Sequence, residues 1–314
     1  MRLICGDCLD VLPTLPAESV DLIFCDPPYN IGIFSKMPPD EYLSWCEAWI
    51  AECSRVLAAN GAFWVSHKAP DVLVELSGMI AAKGRKRINW VTWDKYNEQG
   101  DHFLKGFLLG HTLTPNRCFN QMAEYLIYHA DVGALGRQIK EGRDAAGLKG
   151  TDIDIALGYV RTKDPSRGTE LCRRWEEGAS TPKEQDFIRA MRRCGVDAHD
   201  DYGGLCCTFN NPGKVSSVWQ IPPAPSNGHP TPKPEALLER IILATSNEGD
   251  MVLDPFMGSG TTGAVAAHLG RDFTGIDINE RWVAFSEKRI AEAQAQQDWW
   301  GELCRMVYTG GQVQ

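Results

Sequence analysis

Val20-Asp21-Leu22-Ile23-Phe24-Cys25 is the first sustained apolar run of the chain, set between Pro16 and the pair Pro27-Pro28. Proline has no backbone N–H to pair, so a short apolar run closed by prolines predicts a buried strand. From Asp40 the spacing changes. Leu43, Cys46, Trp49, Ile50, Cys53, Val56 and Leu57 recur at helical intervals, with Asp40 placed to cap the start and Asn60-Gly61 to close the end. Strands are expected at 62–65, 88–93 and 124–128, with a helix at 71–82 between the first two. Toward the C-terminus an amphipathic helix at 235–246 precedes a strand at 251–254, a helix at 263–270, a strand at 273–277 and a last helix from Glu280. Strands alternating with helices predict an α/β fold around a mostly parallel, twisted sheet.

This pattern breaks near Ala134. Residues 134–196 hold thirteen Lys and Arg against ten Asp and Glu, a local charge of +3 in a chain whose formal charge is −9. Helices are expected there at about 137–146, 152–157 and 182–193, so 134–205 reads as a small helical insertion into a body made of 1–133 and 206–314. A proline-rich stretch from Pro212 to Pro234, including Ile221-Pro222-Pro223-Ala224-Pro225, reads as an extended connector.

Composition narrows the function classes. At 314 residues with 43% hydrophobic and 23% charged residues, the chain can bury a large core. No run of about 18 apolar residues is present, and the first residues lack the apolar stretch of a signal peptide. Eleven cysteines, an odd number scattered through apolar segments, point to reduced thiols in a cytoplasm. Cys5-x-x-Cys8 and Cys206-Cys207 are far apart and lack supporting histidines, so no metal site is expected. The net negative charge offers no bulk attraction to nucleic acid, and a polyanion would have to meet a local basic face.

Two motifs carry chemistry, each after an expected strand. The first, Asp254-Pro255-Phe256-Met257-Gly258-Ser259-Gly260-Thr261-Thr262, runs from strand through a glycine bend into a helix. Glycines let the backbone approach a ligand, and the helix start presents free amides. The run is neither Gly-x-Gly-x-x-Gly nor a triphosphate loop ending in Gly-Lys-Ser/Thr. The next strand ends in Asp277, an acceptor suited to a ribose diol, so the pair fits a nucleoside-containing cofactor. The plain alternative is an ordinary tight strand-to-helix turn. The second motif is Asp26-Pro27-Pro28-Tyr29. An exocyclic amine on a base is a poor nucleophile because its lone pair is delocalised into the ring. The Asp26 carboxylate and the Pro27 carbonyl could accept its two N–H bonds and aim that lone pair, the prolines holding the turn rigid and Tyr29 offering a ring to stack on. The plain alternative here is a proline-stiffened loop with a capping Asp.

Taken together, the two motifs resemble the S-adenosylmethionine-dependent DNA amino-methyltransferases that act on adenine N6 or cytosine N4. Catalytic motif first and cofactor motif last is the order of their circularly permuted beta group. The resemblance covers roughly 1–131 and 209–297. It implies a Rossmann-like methyltransferase fold, S-adenosylmethionine as methyl donor and duplex DNA as substrate. Asp26, Pro27, Pro28 and Tyr29 are then catalytic, and Asp254, Phe256, Gly258, Ser259, Gly260, Thr261 and Asp277 hold the cofactor. By the same comparison Asp7 should lie near the cofactor adenine, Phe256 and Trp282 should flank it, and Lys233, in His229-Pro230-Thr231-Pro232-Lys233-Pro234, should lie near the methionine carboxylate. The strand Trp90-Val91-Thr92-Trp93-Asp94-Lys95 resembles a substrate-side strand, with a core tryptophan pair as the alternative. Asp at position 26, where the family's cytosine enzymes usually carry Ser, favours adenine N6. An N4-cytosine enzyme, methylation of RNA or a small amine, and a non-enzymatic DNA-binding module stay open as alternatives. Phosphate contacts are expected from Lys83, Arg85, Lys86 and Arg87 and, in the insertion, from Arg173, Arg174, Arg192 and Arg193, with the insertion as target-recognition region. A helix-turn-helix relative within 139–195 and a solvated helical cap are both open readings of it. Relatives of the permuted group are often dimers, which makes a homodimer a further expectation.

Overall fold

Val20–Cys25 (β2) alternates its side chains between two buried faces, Leu22 and Phe24 on one, Ile23 and Cys25 on the other. Its one charged residue, Asp21, is partly buried and accepts the Met251 amide at 2.8 Å. A strand apolar on both faces needs a layer on each side, and the fold supplies them. The computed structural model describes residues 1–30, 37–95, 123–161, 164–168, 170–177, 180–198, 201–210, 215–225 and 228–308. On one face of the sheet lie Cys8–Val11 (α1), Pro39–Val56 (α2) and Pro70–Ala82 (α3), burying Trp49, Ile50, Leu73 and Leu76 against Ile23, Phe63 and Val65. The other face belongs mainly to helices from the C-terminal part, given below. Each of these large side chains contributes roughly 1.5–3 kcal/mol on burial.

The remaining strands of the main sheet are Arg2–Cys5 (β1), Leu57–His67 (β3), Lys86–Asp94 (β4) and Ala123–Ala130 (β5), then Val218–Gln220 and, after helix Glu235–Thr245, Met251–Asp254 and Asp272–Asp277. Between β5 and Val218–Gln220 run the helices Ala134–Ala145 (α4) and Gly150–Ala156 (α5), the hairpin Val160–Arg161 (β6) and Asp164–Gly168 (β7), and the helices Leu171–Glu176 (α6), Glu184–Arg193 (α7) and Asp201–Leu205 (α8). Val218–Gln220 is thus β8, Glu235–Thr245 α9, Met251–Asp254 β9, Thr261–His268 α10, Asp272–Asp277 β10 and Glu280–Tyr308 α11. Spatial order is β1-β10-β9-β2-β3-β5-β4-β8, with β5 antiparallel to both neighbours and the other pairs parallel. The mostly parallel α/β fold is therefore as expected.

Four local expectations need correction. Asp40 does not cap α2: Pro38 is the cap and Pro39 the first residue, with Asp40 and Glu41 in the first turn, where negative charge favours the helix dipole. Nor does Asn60-Gly61 end that helix. The chain turns directly from Val56 into β3, and residues 58–61 form an irregularity in the pairing with β2, whose register runs Val20↔Leu57 and then Leu22↔Ala62. The short strands β1 and β8 were not anticipated, since four and three residues at or near a sheet edge carry too little periodicity to read. The predicted connector at 212–234 lies partly outside the described residues, and β8 occupies part of it.

The helices of 134–205 enclose a separate apolar cluster of Leu135, Ile139, Ile153, Cys172, Trp175, Phe187 and Met191. They leave the sheet after Ala130, the end of β5 that pairs with Ala62 and Lys86. Lys86 Nζ donates to the Glu177 carbonyl at 2.8 Å, and Asn60 Nδ2 to that of Gly203 at 3.0 Å. At the other end of β5, Glu124 faces Trp93 and Tyr125 faces His67. The eight residues of β5 put the two ends about 24 Å apart at ~3.4 Å per residue.

Candidate active site

Strands β2 and β9 pair in parallel, Leu22↔Val252 and Ile23↔Leu253. From β9 the chain goes outward through α10 to β10; from β2 it goes the opposite way through α2 to β3. Their carboxyl ends therefore flank the point where the winding reverses, which is where open α/β sheets place ligands. The turns beginning at Asp26 and Pro255 leave the sheet side by side there. Pro27 is buried, and the Tyr42 hydroxyl from α2 donates to the Pro28 carbonyl at 3.1 Å, which pins the first turn.

Asp26 is the centre of a polar cluster. Its Oδ1 accepts the Tyr29 hydroxyl at 2.7 Å and the Ser66 hydroxyl at 2.8 Å, and its Oδ2 meets Lys233 Nζ at 2.6 Å. Lys233 also lies 3.3 Å from Glu124 Oε2, and Lys95 Nζ pairs with Glu124 Oε1. Burial by itself would push the Glu124 carboxyl up, but the ammonium groups of Lys233 and Lys95 bring it down to about 2. Burial likewise disfavours the Lys233 ammonium, and the carboxylates of Asp26 and Glu124 outweigh it, to about 12. Tyr29 points its hydroxyl into this cluster. Its ring packs on His67, centroids 4.4 Å apart, with Lys233 Nζ 5.4 Å from the ring centre. Burial first, then Asp26 and Glu124, holds the Tyr29 hydroxyl well above its ordinary value, so it stays protonated and able to donate.

Lys233 was expected beside the cofactor's carboxylate, but its ion pairs are with the acidic turn and Glu124. A buried ammonium needs counter-charge, and those two carboxylates supply it. Ser66, His67, Lys95 and Glu124 were not anticipated as site residues. The sequence signal at Glu124 is a charged residue opening an apolar strand, and the structure shows it 7% exposed. A buried carboxylate must be paired, so asking for its partner would have led to the lysines. Trp93 is buried as the core reading had it, while Lys95, two residues on, belongs to the site.

Across the switch point, Gly258 and Gly260 take positive φ of 49° and 70°. A Cβ at Gly260 would stand 2.6 Å from the Ser286 side chain, and one at Gly258 3.0 Å from His229 Nε2, so the bend is closed to larger residues. Asp277 Oδ2 accepts the Gly258 amide at 3.0 Å and Oδ1 that of Asn279 at 2.8 Å, tying the bend to the end of β10. Asp7 caps α1, accepting the Leu9 amide at 2.9 Å, next to Gly6, whose amide donates to the Asp277 carbonyl. Phe256 packs against Trp45 and Trp49 at 5.6 and 5.3 Å, and Trp282 stands edge-on to His229 at 4.5 Å. Glycine bend, partly exposed Asp277 carboxylate and neighbouring rings are chemically suited to a nucleoside, which Asp277, Asp7, Phe256 and the amides near Gly258 could hold.

Three predicted cofactor contacts have other employment. Asp254 is 2% exposed and spends both oxygens inside the bend, Oδ1 on the Phe256 amide at 3.0 Å and Oδ2 on the Thr262 hydroxyl at 2.6 Å. It braces the loop and presents nothing to a ligand. Ser259 and Thr261 are buried against α11, where Arg289 donates to the Ser259 carbonyl at 3.2 Å and the Thr261 hydroxyl at 2.9 Å. Burial pushes the Asp254 carboxyl up to about 7, against the pull of Thr262 and Phe256. A carboxyl raised on folding contributes stability that is whole below its unfolded value of about 4 and lost as pH climbs through about 7. Asp254→Asn should therefore gain on the parent as pH rises. In thermal melts, the variant-minus-parent difference is expected to increase by at least ~2 °C from pH about 5 to about 8.5; a flat difference would sink this account of Asp254.

The predicted phosphate contacts divide. Lys83, Lys86, Arg87, Arg173, Arg174, Arg192 and Arg193 are exposed, Arg173 being engaged by Glu170 and Glu177 at 3.0 Å each. Arg85 is a correction. It is 7% exposed, and its guanidinium donates to the carbonyls of Leu57 at 3.0 Å, Ala58 at 2.8 Å and Gly61 at 3.3 Å, with Ala59 at 3.5 Å. The register of β3 with β2 is interrupted between Leu57 and Ala62, and Arg85 supplies donors to carbonyls at this irregular stretch. Gly178, in the turn read as part of a helix-turn-helix, lies outside the described residues.

Comparison with known proteins adds a third line of observation. Residues 20–288 match a family model described as DNA methylase, N6_N4_Mtase. The DNA adenine methyltransferase YhdJ of Escherichia coli K12 is 31% identical over 296 residues, covering 91% of this chain and 81% of the relative. The type II methyltransferase M.HpaI of Haemophilus parainfluenzae is 29% identical over 294 residues, 92% and 74% of the two chains. Among solved structures, the cytosine-N4-specific PvuII DNA methyltransferase superposes with a TM-score of 0.56 at 16% identity over 94% of this chain and 91% of that one. The M1.HpyAVI–SAM complex does so with 0.52 at 18% over 92% and 98%. At such identities the structures speak to the fold alone.

Proposed function

The chain belongs to the N6/N4 DNA methylase family, and from that premise we propose that it methylates the N6 amino group of adenine at specific sites in duplex DNA, after rotating the base out of the helix. The methyl donor is S-adenosylmethionine, which when bound supplies an electrophilic methyl group. The observation that carries the reading is the adjacency of the Asp26 turn and the Gly258 bend on neighbouring parallel strands. A nitrogen held by Asp26 is thereby presented to a cofactor seated at the bend.

The chemistry of the chain's own groups follows from that placement. Asp26 accepts an N–H of the amine, drawing the lone pair out of the ring, and is the nearest base for the proton the nitrogen sheds. Tyr29 and Ser66 fix the Asp26 carboxylate by donating to Oδ1. In duplex DNA the adenine amine is engaged in pairing, so the base must leave the stack to reach this turn. The insertion, rooted about 24 Å from the site by strand length, would read base pairs beside the extruded base through exposed residues such as Arg174, Arg192 and Arg193.

A cytoplasmic location and a homodimer complete the proposal. Nine cysteines among the described residues are free thiols, and no described helix is long and apolar enough to cross a membrane. Incubation with labelled cofactor should place methyl groups in duplex DNA and leave RNA and free nucleosides unlabelled, with N6-methyl-2′-deoxyadenosine recovered on nucleoside digestion. Recovery of N4-methyl-2′-deoxycytidine would transfer the assignment to the other base, and no incorporation into any of the three would favour a binding module.

A further inference from the structure

Lys233 stands between two carboxylates from different segments, Asp26 in the turn after β2 and Glu124 in β5. Its Nζ is 2.6 Å from Asp26 Oδ2 and 3.3 Å from Glu124 Oε2, and the side chains of Lys233 and Glu124 are each only 9% exposed. Lys95, at the end of β4, holds the other oxygen of Glu124. Tyr29 places its hydroxyl 3.4 Å from the same ammonium, His67 packs on the Tyr29 ring, and His229 belongs to the same segment as Lys233. Two ammonium groups and two carboxylates thus balance in a buried cluster.

Resting on the methyltransferase reading of Asp26, this arrangement poses a problem. Asp26 must accept an N–H from the target amine, yet Oδ1 serves two hydroxyls and Oδ2 is engaged by Lys233. Were Asp26 its sole counter-ion, release of Lys233 would strand a buried cation, which is strongly unfavourable. We propose that Glu124 is a positioning residue that gives the Lys233 ammonium a second seat, so that Asp26 Oδ2 passes from the lysine to the incoming amine while the cation stays paired. Lys95 fits the same device, holding Glu124 ionised and oriented toward Lys233. No covalent step is added, since one hydrogen bond to Asp26 is exchanged for another.

Glu124→Gln tests this, because it keeps the side-chain shape and removes the charge of the second seat. Cofactor affinity measured by calorimetry should stay within ~3-fold of the parent, and single-turnover methyl transfer near neutral pH should fall at least ~30-fold. Loss of an adjacent carboxylate also makes the Lys233 ammonium easier to deprotonate, so the variant should regain rate as pH rises from about 7 to about 9.5, a gain the parent does not show. Glu124→Asp keeps the anion and should stay within ~5-fold of the parent. A Glu124→Gln rate within ~3-fold of the parent overturns the proposal. So does a loss with a parent-like pH profile, or one as deep in Glu124→Asp. Failure of the parent to methylate any DNA would instead sink the underlying assignment. NMR titration of labelled lysine side chains reads the pairing without activity: the Lys233 titration must move down in Glu124→Gln, and if it stays in place the second seat is refuted.

Discussion

Asp26→Ala should reduce methyl transfer by roughly 10³-fold while cofactor binding persists. Hydrogen bonds to a charged acceptor contribute about 1.5–3 kcal/mol in folding, and a preorganised donor or acceptor at a reacting centre about 3–4 kcal/mol, which is two to three powers of ten in rate. Asp26 sits toward the upper end because two hydroxyls and one ammonium orient it before substrate arrives. The glycine bend is tied by Asp254, Asp277 and Arg289, none of which uses Asp26, so calorimetric cofactor affinity should change by less than ~3-fold. Asp26→Asn should lose nearly as much. It keeps an oxygen for Tyr29 but places an NH2 or a neutral oxygen where the amine must donate. Parent-like rates in Asp26→Ala would remove Asp26 from the reaction and with it the reading of the site.

Arg85→Met should destabilise the fold by about 3 kcal/mol or more, because a buried carbonyl left without a donor costs about 1–3 kcal/mol and several would lose theirs together. For a chain of this size that is roughly a 4–5 °C fall in the thermal midpoint, or more. The dependence of DNA affinity on salt should be unchanged, since no phosphate contact is lost. Arg87→Met is the matched control. Arg87 is exposed, its guanidinium 5.7 Å from the Trp90 ring centre, and the substitution should move the midpoint by no more than ~2 °C. If Arg85→Met keeps the parent's midpoint and lowers the salt slope of DNA binding by about one, Arg85 is a phosphate contact after all.

Much of the body was legible in the chain because its signals are local. β2 and β9 appear at their expected bounds, since a proline-closed run and a run entering a glycine bend are each punctuated by backbone chemistry. Asn60-Gly61 has the composition of a helix stop, yet both residues lie inside strand β3, at the irregularity between Leu57 and Ala62. Arg85, some two dozen positions later, donates to the carbonyls of Leu57, Ala58 and Gly61 around that irregularity. Composition grouped Arg85 with its charged neighbours, and burial alone distinguishes it from them.

The order of residues along the chain sufficed for the two motifs, their strand-end positions and the kind of fold, because a proline-stiffened acidic turn and a glycine bend are properties of a few consecutive residues. Which charges meet was settled in three dimensions. Asp26, Ser66, Lys95, Glu124 and Lys233 come from five separate segments, and no periodicity links them. Their partnership follows from sheet order, which sets β2 beside β3 and β5 beside β4, and from the cost of leaving any one of those charges buried alone.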